Sequence, residues 1–273
     1  MSGNCARDGS EVIRLPYFWD VISHKRNKLL ALDYDGTLAP FRSDRMEALP
    51  LDGVLDLLTR IDLRRDTDVA VVSGRPLEDL QKLLNTWKGF LIGSHGFEMR
   101  SSWGTIVRQE PTSLQRDGLT RAYETAVRRG VGRSIEVKPA SIALHTRGVE
   151  QGEARILEDD LYSQWDMLSL QYSLETMRFN GGVEVRAKGY TKGDAVVELL
   201  REEPPGTFCV YIGDDTTDED VFERIRTTGV GIRVGDPSLP TAASGFLCDV
   251  YAVREFLEKW SSLAEEKEQG QFT

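Results

Sequence analysis

The stretch "LALDYDGTLAP", residues 30–40, closes a short apolar run with two aspartates one position apart, followed by Gly-Thr. The run is continuous rather than alternating, the pattern of a strand covered on both faces. "VAVV" (69–72), "FCVYI" (208–212) and "VGIRV" (230–234) repeat it. Between these runs lie segments of helical period: "PLEDLQKLL" (76–84), "GDAVVELLRE" (193–202), "DEDVFERIR" (218–226) and "VREFLEKW" (253–260). Strand and helix alternate, which predicts an α/β fold, a parallel sheet with helices on both faces.

The alternation breaks between Pro111 and Ala187. There the pattern predicts a helix near 114–129, strands in "SIEVKP" and "SIALHTR", a helix near 153–164, and strands in "LSLQYSLE" and "GGVEVRA". These strands alternate apolar and polar residues, as in an antiparallel sheet with one wet face. We expect a core in two parts, 1–110 and 188–273, with an α+β domain, 111–187, inserted between them. The last residues, "AEEKEQGQFT", read as a solvated tail.

The 273 residues carry 34 Lys and Arg against 44 Asp and Glu, a formal charge of −10. That charge repels nucleic acid and anionic membrane, so an anionic ligand must meet local cations or a bound metal. No apolar run approaches the roughly 18 residues of a membrane span, and no basic-then-apolar leader is present. Cys5, Cys209 and Cys248 are odd in number and scattered, which fits neither a disulfide framework nor a cysteine zinc site. The expectation is a cytoplasmic protein without membrane or nucleic-acid partners.

The polar clusters fall where strands end: Asp33 and Asp35 after the first, Ser73-Gly74-Arg75 after the second, Gly213-Asp214-Asp215 after "FCVYI". In open α/β sheets ligands bind outside the carboxyl ends of the strands, so these clusters can converge on one crevice. An Asp-Gly after a strand is often only a turn, and "GDDTTDEDVF" can be a helix start, with Thr217 as cap and Asp220 closing a capping box. That reading leaves Asp214 and Asp215 unexplained. Placed about 4 Å from Asp33, either carboxylate costs about 4 kcal/mol at an effective dielectric near 20. A divalent cation held by oxygens, Mg²⁺ by preference, relieves the repulsion. Two carboxylates at i and i+2 suit phosphoryl transfer, one attacking in line while the other handles the leaving alcohol's proton. Ser73, the backbone N–H groups after it, and Lys192 in "YTKGDAV" supply phosphate donors.

The ordered set "DYDGT" (33–37), "SGR" (73–75), Lys192 in "TKG" and "GDDTTD" (213–218) resembles the haloacid-dehalogenase-type phosphatases. With "HGFE" (95–98) it is similar, more narrowly, to the trehalose-6-phosphate phosphatases, over roughly residues 28–260.

The resemblance implies a Rossmann-like core with an inserted cap that closes over a sugar. It implies that Asp33 is the nucleophile and that Asp35 protonates the departing sugar oxygen and later activates water. Mg²⁺ is expected at Asp33, the Asp35 carbonyl and Asp214, with Asp215 or Asp218 assisting. Thr37, Ser73, Gly74, Arg75 and Lys192 are expected around the phosphoryl group. On the cap strands Glu136 and Lys138 oppose Ile135 and Val137, and Glu184 opposes Val183 and Val185; the resemblance places Glu136, Lys138 and Glu184 on the sugar, with His95 as a further contact. His24 and His145 are expected to be structural, and the tryptophans at 87, 103, 165 and 260 to serve packing. Ser94 departs from the acidic or amide residue the family pattern suggests there. The implied substrate is trehalose 6-phosphate, with a trehalose-6-phosphate synthase as a potential partner. Two rivals remain: a phosphatase of sucrose 6-phosphate or a mannosyl phosphate, and a non-catalytic phosphosugar sensor.

Overall fold

A computed structural model describes residues 12–13, 17–85, 87–179 and 181–263. Cys5 and the expected solvated tail lie outside them. The chain forms two compact units, divided at Val107/Arg108 and at Tyr190/Thr191, against the boundaries 110/111 and 187/188 expected from pattern.

The first unit is built on strands β1 (Val12–Ile13), β2 (Lys28–Asp33), β3 (Thr67–Val72), β4 (Phe90–Gly93), β5 (Glu98–Arg100) and β6 (Ile106–Arg108), joined in the sheet by later strands. Helices α1 (Phe18–His24), α2 (Val54–Asp62) and α3 (Leu77–Leu83) lie between them. In the second unit come α4 (Ser113–Arg128), β7 (Ile135–Val137), β8 (Ser141–His145), α5 (Gln151–Tyr172), β9 (Leu174–Phe179) and β10 (Gly182–Ala187). The chain then returns through α6 (Lys192–Glu202), β11 (Phe208–Gly213), α7 (Glu219–Arg224), β12 (Gly229–Val234), β13 (Gly245–Leu247) and α8 (Val250–Ser262).

The first sheet runs β1-β13-β12-β11-β2-β3-β4-β5-β6. From β13 to β4 every pairing is parallel, while β1 and β5 join antiparallel. All six residues of β2 are buried, the reason its sequence shows no alternation. Leu30, Leu32, Val69, Val71, Val210 and Ile212 share the core with Leu57, Ile61, Phe256 and Trp260 from α2 and α8. The switch in connection direction between β2's neighbours, β3 on one side and β11 on the other, leaves a crevice at their carboxyl ends.

The second unit is one antiparallel sheet, β7-β8-β10-β9, backed by α4 and α5. Trp165 is fully buried between them, its indole N–H donating to the Ala122 carbonyl at 3.0 Å. One sequence expectation fails here. "LSLQY" is not strand but the last turns of α5, which ends at Ser173 in a left-handed turn (φ 52°). Its Leu-Ser-Leu alternation imitates a strand, but Leu161, Trp165 and Ser169 are the buried residues, spaced four apart as a helix face requires. Leu170 is instead exposed.

The tryptophans serve packing as expected: Trp87 and Trp260 are buried, and Trp103 packs at the surface with its ring against Phe90. Cys209 is a free thiol pushed up to about 12 by burial. Cys248 is disulfide-bonded, a bond the odd and scattered cysteines did not announce. Among the described residues no helix is long and apolar enough to cross a membrane.

Candidate active site

The first unit alone assembles a charged cluster at the carboxyl end of its parallel strands. Asp33 is the last residue of β2 and Gly213 the last of β11, its neighbour. Ser73 directly follows β3, paired with β2 on the other side. Lys192 opens α6, whose cap is Thr191 with Asp194 completing the capping box. Its ammonium, buried at 3 % exposure, donates to Asp33 Oδ1 at 2.6 Å and to Asp218 Oδ1 at 2.8 Å.

Asp218 is fully buried and receives two more donors, the Tyr211 hydroxyl at 2.6 Å and the Asp215 backbone N–H at 2.9 Å. A side chain at position 213 would collide with the Asp218 carboxyl carbon at 2.4 Å, so only glycine lets that carboxylate fold back over the strand end. Gly36 (φ 77°) has the same role opposite: a Cβ there would lie 2.2 Å from Asp214 Oδ2. The "DYDGT" turn is thereby brought against Asp214.

Carboxylate oxygens of Asp33, Asp214 and Asp218 lie within 4.8 Å of one another. Burial pushes the Asp33 carboxyl well up, with Asp218 and Asp214 adding to the shift and Lys192 opposing it. Asp214 is pushed up to about 8, by burial first and then by Asp218 and Asp215. Burial alone would lower Lys192, but Asp218 and Asp33 override it and hold the ammonium charged. One lysine thus stands against three acids.

The donor set fits a hard divalent cation: three carboxylates, with Asp214 Oδ1 buried and without a hydrogen-bond partner. Thr37 Oγ1 is buried in the same condition, which suits a ligand oxygen nearby. A prediction follows from the raised pKa of Asp214. In the unfolded chain this group ionises near its ordinary 3.8, so the stability it contributes is present below that pH and is lost as pH rises through about 8. Chelator-treated protein should therefore melt at progressively lower temperature between about pH 5 and pH 8, and added Mg²⁺ should restore the loss, by several degrees at the alkaline end. Differential scanning fluorimetry reads both; a cation effect independent of pH would contradict it.

Asp35, expected beside Asp33 in the chemistry, is gripped by Arg75. Nε donates to Oδ2 and Nη2 to Oδ1, both at 2.6 Å, and Nη1 reaches the Arg45 carbonyl at 2.7 Å. The Arg75 guanidinium, expected at the phosphoryl group, is thus committed to Asp35. Ser73 Oγ accepts from the Arg75 N–H at 3.1 Å. Gly74 is indispensable, since a Cβ would strike the His95 ring at 2.5 Å. His95 is buried beside that loop in a left-handed conformation (φ 56°).

At the start of α3 the Leu77 N–H donates to Glu98 Oε2 at 3.0 Å, and the Ser94 hydroxyl donates to the same oxygen at 2.8 Å. One expectation about caps changes. In "GDDTTD" the capping box belongs to Asp215 with Asp218, not to Thr217 with Asp220. Asp215 spends its carboxylate on the Thr216 N–H, and Asp220 bonds Arg224 at 2.9 Å and Thr191. Sequence reasoning passed over Tyr211 and Glu98. A tyrosine within the buried run "FCVYI" and the acid closing "HGFE" were the available signals.

In the second unit Glu136, Lys138 and Glu184 share one face of the sheet, since Ala143 of β8 faces both Glu136 and Glu184. Lys138 Nζ lies 3.0 Å from Glu184 Oε1.

Comparison with known proteins gives the family. The trehalose-phosphatase family profile matches residues 31–248. A bifunctional trehalose-6-phosphate synthase/phosphatase of Thermoproteus tenax is 33% identical over 238 residues; the match covers 86% of this chain and 32% of that protein, so the chain spans about a third of its length. The trehalose-6-phosphate phosphatase of Escherichia coli is 29% identical over 243 residues, covering 87% of this chain and 88% of the relative. The C-terminal domain of C. albicans trehalose-6-phosphate phosphatase superposes with a TM-score of 0.78 at 23% identity, over 92% of this chain and 96% of that one, a likeness of fold. A phosphatase of the haloalkanoate (HAD) enzyme superfamily from Bacteroides thetaiotaomicron shares the fold at a TM-score of 0.60 and 13% identity, over 87% of this chain and 96% of the other. On the strength of the profile match, this chain belongs to the trehalose-phosphatase family.

Proposed function

We propose that the chain is a Mg²⁺-dependent phosphatase that hydrolyses trehalose 6-phosphate to trehalose and inorganic phosphate. The observation that carries the reading is the buried Asp33–Lys192–Asp218 cluster with Asp214 beside it. On this reading one unit holds the nucleophile Asp33, the phosphate cation Lys192 and the metal ligands Asp33, Asp214 and Asp218. The substrate rests on the family and on the Escherichia coli relative, matched along most of both chains.

Asp33 attacks phosphorus in line as the bond to the sugar oxygen breaks, giving an aspartyl-phosphate. For this step Asp35 lets go of Arg75 and takes up a proton, which it gives to the departing oxygen. In the second half Asp35 takes a proton from water, the hydroxide attacks phosphorus, and the Asp33 carboxylate is released with inorganic phosphate. Lys192, Ser73, Thr37 and the Gly74 backbone hold the phosphoryl oxygens, and Arg75 holds Asp35 as the carboxylate before substrate enters. Asp33, Asp214 and Asp218, with the Asp35 carbonyl, would hold Mg²⁺, which would neutralise charge on the phosphoryl group when bound. Asp215 supports Asp218 rather than the ion. Glu136, Lys138 and Glu184 take the sugar hydroxyls, with His95 beside the phosphate loop.

The fused Thermoproteus tenax relative supports a trehalose-6-phosphate synthase as partner. A cytoplasmic setting is proposed because a phosphorylated sugar does not cross a membrane unaided, the Cys248 disulfide notwithstanding. Phosphate release from trehalose 6-phosphate, sucrose 6-phosphate and mannosyl phosphate, with and without Mg²⁺, tests the reading. Preference for either of the latter two, or turnover indifferent to Mg²⁺, overturns it.

A further inference from the structure

The second unit's sheet has two unlike faces. Ile142, Leu144, Val183 and Val185 are buried on the face backed by α4 and α5. Its other face carries acids and bases in pairs: Glu184 with Lys138, which follows β7 and reaches across β8, and, from neighbouring strands, Glu175 with Arg186 and Glu136 with His145. The first two pairs use long, flexible bases. The third uses a ring, and the sheet is built to hold that ring still.

The register shows how. Glu136, Ala143, Glu184 and Met177 form one row across the sheet. The next row is His145, Gly182 and Phe179, so Glu136 and His145 are diagonal neighbours on the same face, within reach of long side chains. His145 Nε2 lies 2.7 Å from Glu136 Oε2. An ionised carboxylate only accepts, so Nε2 carries the hydrogen. Between His145 and Phe179 the row has no side chain, and a Cβ on Gly182 would come within 2.5 Å of the Phe179 ring and 1.9 Å of the Leu144 carbonyl oxygen. With glycine there, the two rings meet edge to face at 5.4 Å and 64°. Phe179 thus limits the imidazole, and the imidazole limits the carboxylate, whose side chain is 9% exposed.

We propose that His145 is a positioning residue for sugar recognition: its Nε2–H holds the Glu136 carboxylate in the one orientation that accepts from a substrate hydroxyl. This rests on the reading of Glu136 as a sugar contact. It replaces the expectation that His145 is merely structural. Without the imidazole the Glu136 carboxylate loses one of its anchors, and the cost of ordering it on binding weakens the substrate complex without touching the chemistry at phosphorus.

The test compares trehalose 6-phosphate with p-nitrophenyl phosphate, which has no sugar. His145→Ala should raise KM for the sugar ester about tenfold with kcat within about twofold, and leave p-nitrophenyl phosphate hydrolysis unchanged. His145→Gln, whose amide donates at a similar reach to Nε2, should recover most of the loss. The double variant His145→Ala/Glu136→Ala should be no worse than Glu136→Ala alone. Should His145→Ala fail to fold, Phe179→Leu carries the same expectation. A parental KM for His145→Ala beside a raised one for Glu136→Ala overturns the proposal, as do additive losses or equal damage to both substrates. A parental KM for Glu136→Ala removes its premise, and the proposal with it, while trehalose 6-phosphate turnover by the parent protein judges the phosphatase reading separately.

Discussion

Asp33→Asn is expected to lower phosphate release by at least about a thousandfold while leaving the folded protein as stable as the parent or more so. The first half follows from the chemistry, because an amide is a poor nucleophile and the aspartyl-phosphate route closes with it. A thousandfold corresponds to about 4 kcal/mol of barrier, within the range of a covalent step. The second half follows from the site's electrostatics. Burial, Asp218 and Asp214 all push the Asp33 carboxyl up, and Lys192 offsets only part of this. The ionised form is therefore disfavoured in the fold, and a neutral isostere relieves repulsion. Malachite-green phosphate release and a thermal melt on the same sample separate the two halves. Near-parental turnover would exclude Asp33 as nucleophile, and a collapsed melt would show that the acid is needed for folding instead. Asp35→Asn should behave differently. The proton it supplies matters most for an alkoxide leaving group, so the variant should lose more activity on a sugar ester than on p-nitrophenyl phosphate.

The legible parts of this molecule are those governed by short-range pattern. Continuous apolar runs gave away the parallel strands, because a strand covered on both faces has no polar positions to alternate. Asp33, Ser73 and Asp214 could be grouped because they follow strands that topology sets side by side. What could not be read depends on three-dimensional pairing. "LSLQY" alternates like a strand, and only the burial of Leu161, Trp165 and Ser169 along one face decides for helix. Asp215 and Asp218 differ by the direction of one turn: the first caps, the second folds back over Gly213 to meet Lys192. The partner of Arg75 is a residue 40 positions away, and no spacing rule reaches that far. The Glu136–His145 pair depends on strand register, and a shift of one residue would put the two side chains on opposite faces.

Lys192→Met should be the most destabilising single change at this site. The ammonium is the cation shared by Asp33 and Asp218, both buried. Removing one member of a buried ion cluster typically costs about 3–5 kcal/mol, because the remaining charges stay desolvated without compensation. For a chain of this size that is a fall in Tm on the order of 10 °C. Turnover should drop at least about a hundredfold, since the phosphoryl oxygens lose their point charge. The loss of stability should be partly repaired by Asp33→Asn in the same chain, because neutralising one acid removes much of the repulsion that Lys192 had contained. Turnover should not be repaired. A double-mutant cycle on Tm therefore yields a coupling of opposite sign to the sum of the single effects. Strictly additive melting temperatures would mean that Lys192 does not hold these acids together, and the account of the site as one electrostatic unit would have to be abandoned.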